Sequence, residues 1–185
     1  MSANRTWQDD LVARYPNLFD SEIHGQIRRP GSPEVGGDGW QDLVQRAVER
    51  IAAAVSAAPD SLRITQIKEK FATIRIYWWA GPGFTDAMRD AVNEIVDLAE
   101  ARSACTCQQC GEPGRLFKHG GWYKTACDVH GKGERVTNHR PQDENVHVTW
   151  RIIGATRTVR ARRYIRDTDS FEDVDPSTLD LGEED

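Results

Sequence analysis

The sequence predicts an α+β protein: two helices on a small antiparallel sheet, an embedded Cys/His module, and a β-rich C-terminal extension. Three patterns carry this. Apolar residues recur at three and four positions over 40–55 and 88–99, residues 62–67 and 74–78 alternate between them, and Cys107-x-x-Cys110 and Cys127-x-x-His130 follow. Helix, strand pair, helix and module in that order give two layers around one core, because each amphipathic element must bury its apolar face against another.

Taken in order, Trp7, Leu11, Val12 and Tyr15 are spaced for a short helix that Thr6 can cap and Pro16 should stop. From Asp20 to Gly37 the chain is rich in Gly, Pro, Ser and charge, which predicts a loop. His24 lies there with no titratable partner in sight and is expected to be a surface histidine. Asp38 is expected to cap the first long helix, whose stripe of Trp40, Leu43, Val44, Ala47, Val48, Ile51 and Val55 faces the core. Leu62, Ile64 and Ile67 then oppose Ile74, Ile76 and Trp78 across a strand pair, with Lys68-Glu69-Lys70-Phe71 expected as the connection. Alternation places Trp78 and Trp79 on opposite faces of the sheet, one towards the helices and one available for contact. Gly81-Pro82-Gly83 ends the strand, and Thr85 can cap a second helix carrying Met88, Val92, Ile95, Val96 and Ala99.

That helix runs into the cysteines. Two residues separate the members of each pair and sixteen lie between the pairs, which is the spacing of a four-ligand zinc site, so the expected cofactor is a structural Zn2+ held by Cys107, Cys110, Cys127 and His130. A Cys3His set fills a tetrahedron and leaves no position for a catalytic water. Cys105, two residues ahead of Cys107, is an alternative ligand. A disulfide framework is disfavoured because residues 1–10 show neither a basic nor an apolar export segment, and a thioredoxin-like site because the motif follows a helix instead of opening one. Leu116, Phe117, Trp122 and Tyr123 flank Gly120-Gly121, so two short strands joined at the glycines are expected, which makes the module a zinc ribbon. His119 sits at that turn, far from either ligand pair.

Beyond a polar connection, 146–150 and 156–165 read as a strand pair bearing Arg151, Arg157, Arg160, Arg162, Arg163 and Arg166 beside Trp150 and Tyr164. Arginine forks beside aromatic rings suit phosphate contact and base stacking; equally, such arginines neutralise acidic residues elsewhere in the chain. Nine of the 29 acidic residues fall in 167–185, which has no Lys or Arg, so the remaining chain carries 24 basic residues against 20 acidic, a net of +4. That segment is expected to be a solvated, disordered tail, or one that folds over a basic surface. The expected organisation is therefore an α+β body over 1–104, the zinc-ribbon module over 105–135, the Arg-rich strand pair over 136–166 and the acidic tail. No apolar run approaches the ~20 residues that span a bilayer, so no membrane association and a cytoplasmic location with reduced thiols are expected.

Gly37-Asp38-Gly39-Trp40, Ile67-Lys68-Glu69-Lys70-Phe71, the Cys107/Cys110 pair, Gly121-Trp122, and Cys127 with His130 together resemble a set of small zinc-ribbon proteins of bacteria and their phages, over residues 37 to 130. The resemblance implies no catalytic residues; it implies a small interaction protein acting on host machinery. The favoured expectation is a non-enzymatic binding protein that presents Lys68, Lys70, Trp79 and the segment with Arg157, Arg160, Arg162, Arg163 and Tyr164 to a protein partner. Nucleic acid is the alternative partner, disfavoured by a pI of 5.6. A metal-dependent nuclease or hydrolase built from His119, His139 or His147 with Asp128 or Asp143 is the alternative from another class, and it lacks any His pair or carboxylate pair at catalytic spacing.

Overall fold

The computed structural model of the chain describes residues 6–137, 144–153 and 156–179. Helix α1 (Trp7–Arg14) starts as its capping box dictates, with Thr6 and Asp9 exchanging side-chain and backbone hydrogen bonds. Pro16 does more than end it: the proline occupies the first turn of a second short helix, α2 (Pro16–Phe19), where its missing N–H costs nothing. The segment expected as a loop contains a small hairpin, β1 (Ser21–Ile23) and β2 (Gln26–Arg28), closed at His24 and Gly25. Both turn residues have positive φ, 53° and 73°, the two-residue geometry that suits the strand twist. Strand β3 (Pro33–Glu34) then lies parallel to the next strand, Pro33 opposite Ile67.

Asp38 does not cap a helix. A single 3-10 turn over Asp38–Trp40 precedes helix α3 (Gln41–Ala54), and the Asp38 carboxylate instead accepts the Trp7 indole N–H at 2.9 Å. Strands β4 (Leu62–Lys70) and β5 (Thr73–Ala80) form the expected antiparallel pair. Lys68, Glu69 and Lys70 belong to β4, however, and the turn is Phe71-Ala72, both at positive φ (52° and 66°). Two neighbours hold this costly backbone: the Ala72 N–H donates to Glu69 at 2.6 Å, and the Ala72 carbonyl accepts from the Thr125 hydroxyl at 2.8 Å.

Helix α4 (Asp86–Ala104), capped by Thr85, organises the rest because both of its sides are used. Val92, Ile95, Val96 and Ala99 join the main core of α1, α2, α3, β4 and β5, while Leu98, Ala101 and the following Cys105 pack against Tyr164 and Phe171. The three-and-four spacing within each set puts them on two stripes of one helix. Strands β6 (Arg115–His119) and β7 (Trp122–Ala126) pair across Gly120-Gly121, and β8 (Glu134–Arg135) adds to the other edge of β6. The C-terminal sheet has the order β11-β10-β9, from β9 (Val146–Ile153), β10 (Thr156–Ile165) and β11 (Ser170–Val174), all antiparallel.

Strand β11 corrects the expectation of a disordered tail over 167–185. Residues 170–174 are paired with β10, and Pro176–Thr178 form a further 3-10 turn. Asp169 supplies the reason. Its side chain is only 10% exposed, and its carboxylate lies 2.8 Å from Arg50, 3.4 Å from Arg102 and 3.8 Å from Arg46 while accepting the Tyr164 hydroxyl at 2.7 Å. An acidic segment docks where basic groups already converge. Residues 180–185 lie outside the described residues. Among the described residues no helix is long and apolar enough to cross a membrane.

Candidate metal centre

Two backbone knuckles face each other, one between α4 and β6, the other after β7. In the first, the Gly111 N–H donates to the Cys107 carbonyl at 2.9 Å and the Cys107 N–H to Glu112 at 2.8 Å, a turn that Gly111 completes at φ 81°. In the second, the N–H groups of His130 and Gly131 donate to the Cys127 carbonyl at 3.1 and 2.8 Å. The knuckles bring Cys107, Cys110, Cys127 and His130 together with all ligand atoms within 4.8 Å of one another, an arrangement that could hold a metal ion. Cys127 Sγ lies 3.2 Å and Cys107 Sγ 3.7 Å from His130 Nδ1, and the sulfurs of Cys110 and Cys127 are 3.7 Å apart.

The electrostatics favour a thiolate at Cys107, while the neighbouring sulfurs of Cys107 and Cys127 push the Cys110 thiol up. Burial pushes the Cys107 thiol up, but N–H groups of Cys127, Cys110 and Gln109 aimed at its sulfur more than offset this and bring it down to about 6. The donor set, three thiols and one imidazole, suits a soft or borderline cation, so the residues present fit a metal of that class.

Cys105 is not part of it. Its buried side chain donates from sulfur to the Arg102 carbonyl at 3.3 Å, and burial raises the thiol against the opposing pull of Arg166, so it stays a protonated helix-end residue. The alternative ligand set is therefore set aside.

No protein-family model, no curated protein and no solved structure matches this chain.

Much of the support for the centre comes from residues far away in sequence. Gly39 presses on the first knuckle so closely that a Cβ there would lie 2.2 Å from the Cys107 carbonyl oxygen and 2.7 Å from the Cys110 nitrogen. Its N–H donates to Gln108 at 3.0 Å, and the buried Trp40 indole donates to the Thr106 carbonyl at 2.8 Å. From the other end of the chain Arg166 reaches the Thr106 hydroxyl at 2.5 Å and the carbonyls of Gly111 at 3.0 Å and Cys105 at 3.3 Å. Little in the sequence marks this cradle. Its one visible trace is Gly37-Asp38-Gly39-Trp40, whose glycines leave room for a neighbouring backbone.

The expected contact residues separate into two groups. Lys68, Lys70 and Trp79 project from the β4–β5 pair, with the Lys68 ammonium 5.4 Å from the Tyr77 ring centre, Lys70 exposed, and Trp79 58% exposed. In β10, by contrast, Arg162 is 1% exposed and Tyr164 is buried, so neither is available to a partner. Arg162 forks onto Glu94 at 2.5 Å and Asp97 at 2.6 Å on α4 and stacks 3.9 Å from the Phe171 ring centre. Burying the guanidinium is possible only because carboxylates and a ring face replace its hydration. Arg160 is exposed and reaches Asp173 at 3.4 Å, Arg163 is half-buried, and the side chain of Arg157 lies outside the described residues. The segment works mainly as an internal clamp.

Of the residues named for the catalytic alternative, His119 ends β6, and His147 sits 3.7 Å from Asp97 and stacks on Phe171. His139 and Asp143 lie outside the described residues.

Proposed function

We propose that this is a non-enzymatic, zinc-stabilised binding protein that engages another protein, or a protein–nucleic acid complex, of the kind its likeness to small bacterial and phage zinc-ribbon proteins suggests. The observation that carries the reading is the four-membered Cys3His set with all its ligand atoms inside 4.8 Å. Four ligands complete the coordination that zinc adopts in structural sites and leave none for a reacting water. The ligand spacing is compatible with zinc. A tetrahedron with Zn–S near 2.3 Å and Zn–N near 2.05 Å has edges of about 3.8 Å between sulfurs and about 3.6 Å from sulfur to nitrogen; the sulfurs of Cys110 and Cys127 are 3.7 Å apart, and those of Cys107 and Cys127 lie 3.7 and 3.2 Å from His130 Nδ1. When bound, the ion holds the two knuckles together; recognition falls to the exposed Trp79 and Lys70 and the half-buried Lys68 on the body, and to Trp122 and Val129 on the ribbon.

X-ray absorption on the purified protein tests this directly. One zinc per chain with three sulfur ligands and one nitrogen is expected, unchanged by added anions. An exchangeable oxygen ligand on the metal, or a fully folded metal-free protein, would overturn it.

A further inference from the structure

The metal-bearing module carries a groove that His130 borders, while the rest of its lining takes no part in the candidate metal set. Phe117 pairs with Lys124 and His119 with Trp122 across β6 and β7, so these four side chains share one face of the hairpin. The second knuckle folds back over that face: a Cβ on Gly131 would fall 2.4 Å from the Phe117 ring, so any larger residue there would have to displace the ring. Between the two runs a groove of about 500 Å³, a size typical of ligand sites.

The floor and the rim of the groove differ in character. Ala126, Phe117 and Gly131 are withdrawn from solvent, while Lys124, Lys132, Trp122 and Val129 stand exposed around them. Trp122 and Val129 are 82% and 86% exposed. Large apolar side chains left in water beside one another mark a contact surface. The lining contains two lysines and no carboxylate; Asp128, in the same knuckle, is not part of it. A short apolar trough with cations on its rim is complementary to an apolar side chain flanked by acids.

Resting on the reading of the chain as a protein-binding module, we propose that this groove takes an extended acidic segment of the partner protein. One apolar side chain sits among Phe117, Trp122 and Val129, and flanking carboxylates face Lys124 and Lys132. A nucleic acid strand fits less well. Phosphate binding needs a run of cations, and the groove offers two lysines, with Arg162 already committed to Glu94 and Asp97.

The test uses the full-length, zinc-loaded protein and fluorescence anisotropy with an end-labelled peptide in which aspartates and glutamates flank a central leucine. Two control peptides replace the leucine by serine or the acids by lysine, and an oligothymidylate serves as the nucleic-acid probe. The acidic leucine peptide should bind about tenfold tighter than either control, and Lys124→Glu with Lys132→Glu, or Trp122→Ala, should each weaken it about tenfold. Arg28→Glu, on the exposed β1–β2 hairpin, should leave it unchanged. The proposal is overturned if the peptide does not bind, if the controls bind equally, if the groove substitutions have no effect, or if the oligothymidylate binds more tightly. Zinc content measured on every variant keeps the two conclusions apart: an intact centre with no peptide binding removes the groove alone, whereas an absent centre removes the function proposed above.

Discussion

Gly39 lies against the carbonyl of Cys107 with room for a hydrogen and no more, since a Cβ at residue 39 would come within 2.2 Å of that oxygen. The contact explains why glycine stands in the turn before α3. The obstructing atoms are backbone atoms of a ligand-bearing knuckle and cannot rotate aside.

Gly39→Ala is therefore expected to destabilise the protein by about 3 kcal/mol, the upper range for overpacking, and to weaken metal binding with it. Gly36→Ala, with nothing within 4 Å, is the matched control and should change little. Denaturant unfolding and a competition titration with a zinc chelator give the two readouts.

The clamp between Arg162 and α4 predicts a large cost for a residue that looks like part of a surface arginine cluster. Arg162→Ala strips a buried guanidinium from Glu94 and Asp97, whose side chains are 45% and 25% exposed. Water can reach those carboxylates, so the expected loss is about 2–3 kcal/mol, short of that for a fully buried pair. Arg160→Ala, exposed and 3.4 Å from Asp173, should cost no more than about 0.5 kcal/mol. Thermal unfolding of both variants makes the comparison.

Acid should release the C-terminal sheet through Asp169. Burial raises this carboxyl, but the Tyr164 hydroxyl and the guanidinium groups of Arg50 and Arg102 outweigh it and hold it below the ordinary carboxylate range. Because the folded state binds the proton less readily than the unfolded chain, the contribution is complete above about pH 3.9, the unfolded value. It is lost as the pH falls through the lower folded value. Asp169→Asn should reduce stability at pH 7 and flatten this part of the acid limb, measured by denaturation across pH 2–7.

Thiol counting separates the four cysteines. In the native metal-loaded protein a maleimide should label none of them quickly: Cys105 because it is buried and protonated, the other three because the ion occupies their sulfurs. Chelation should expose three reactive thiols and lower the melting temperature, since metal binding and folding of the module are linked. Cys105→Ser should keep one metal per chain, and Cys127→Ser should lose it.

The elements with a strong apolar period were legible in the sequence. Helices α3 and α4, the β4–β5 pair and the caps Thr6 and Thr85 follow from side-chain spacing and one hydroxyl each, and the ligand spacing places all four members of the cluster. What escaped depends on partners distant in the chain. Ser170–Val174 is largely acidic and polar, so nothing local marks it as a strand; β10 and the arginines around Asp169 make it one. Likewise Arg160 and Arg162 lie two residues apart on one face of β10, and it is the position of Glu94 and Asp97 on α4 that buries Arg162 while Arg160 stays exposed. The His24-Gly25 hairpin was hidden because charge and proline mask three-residue strands that have no apolar face.

The first knuckle is braced from both directions along the chain, by Trp40 across 66 residues to Thr106 and by Arg166 across 55 to Gly111. During synthesis these supports leave the ribosome at different moments, since amino-terminal parts fold first. Gly39 and Trp40 are waiting when the cysteines emerge, whereas Arg166 arrives only after both ligand pairs are complete. A nascent chain thus shapes the first knuckle against its amino-terminal brace, and the completed chain adds the second brace afterwards.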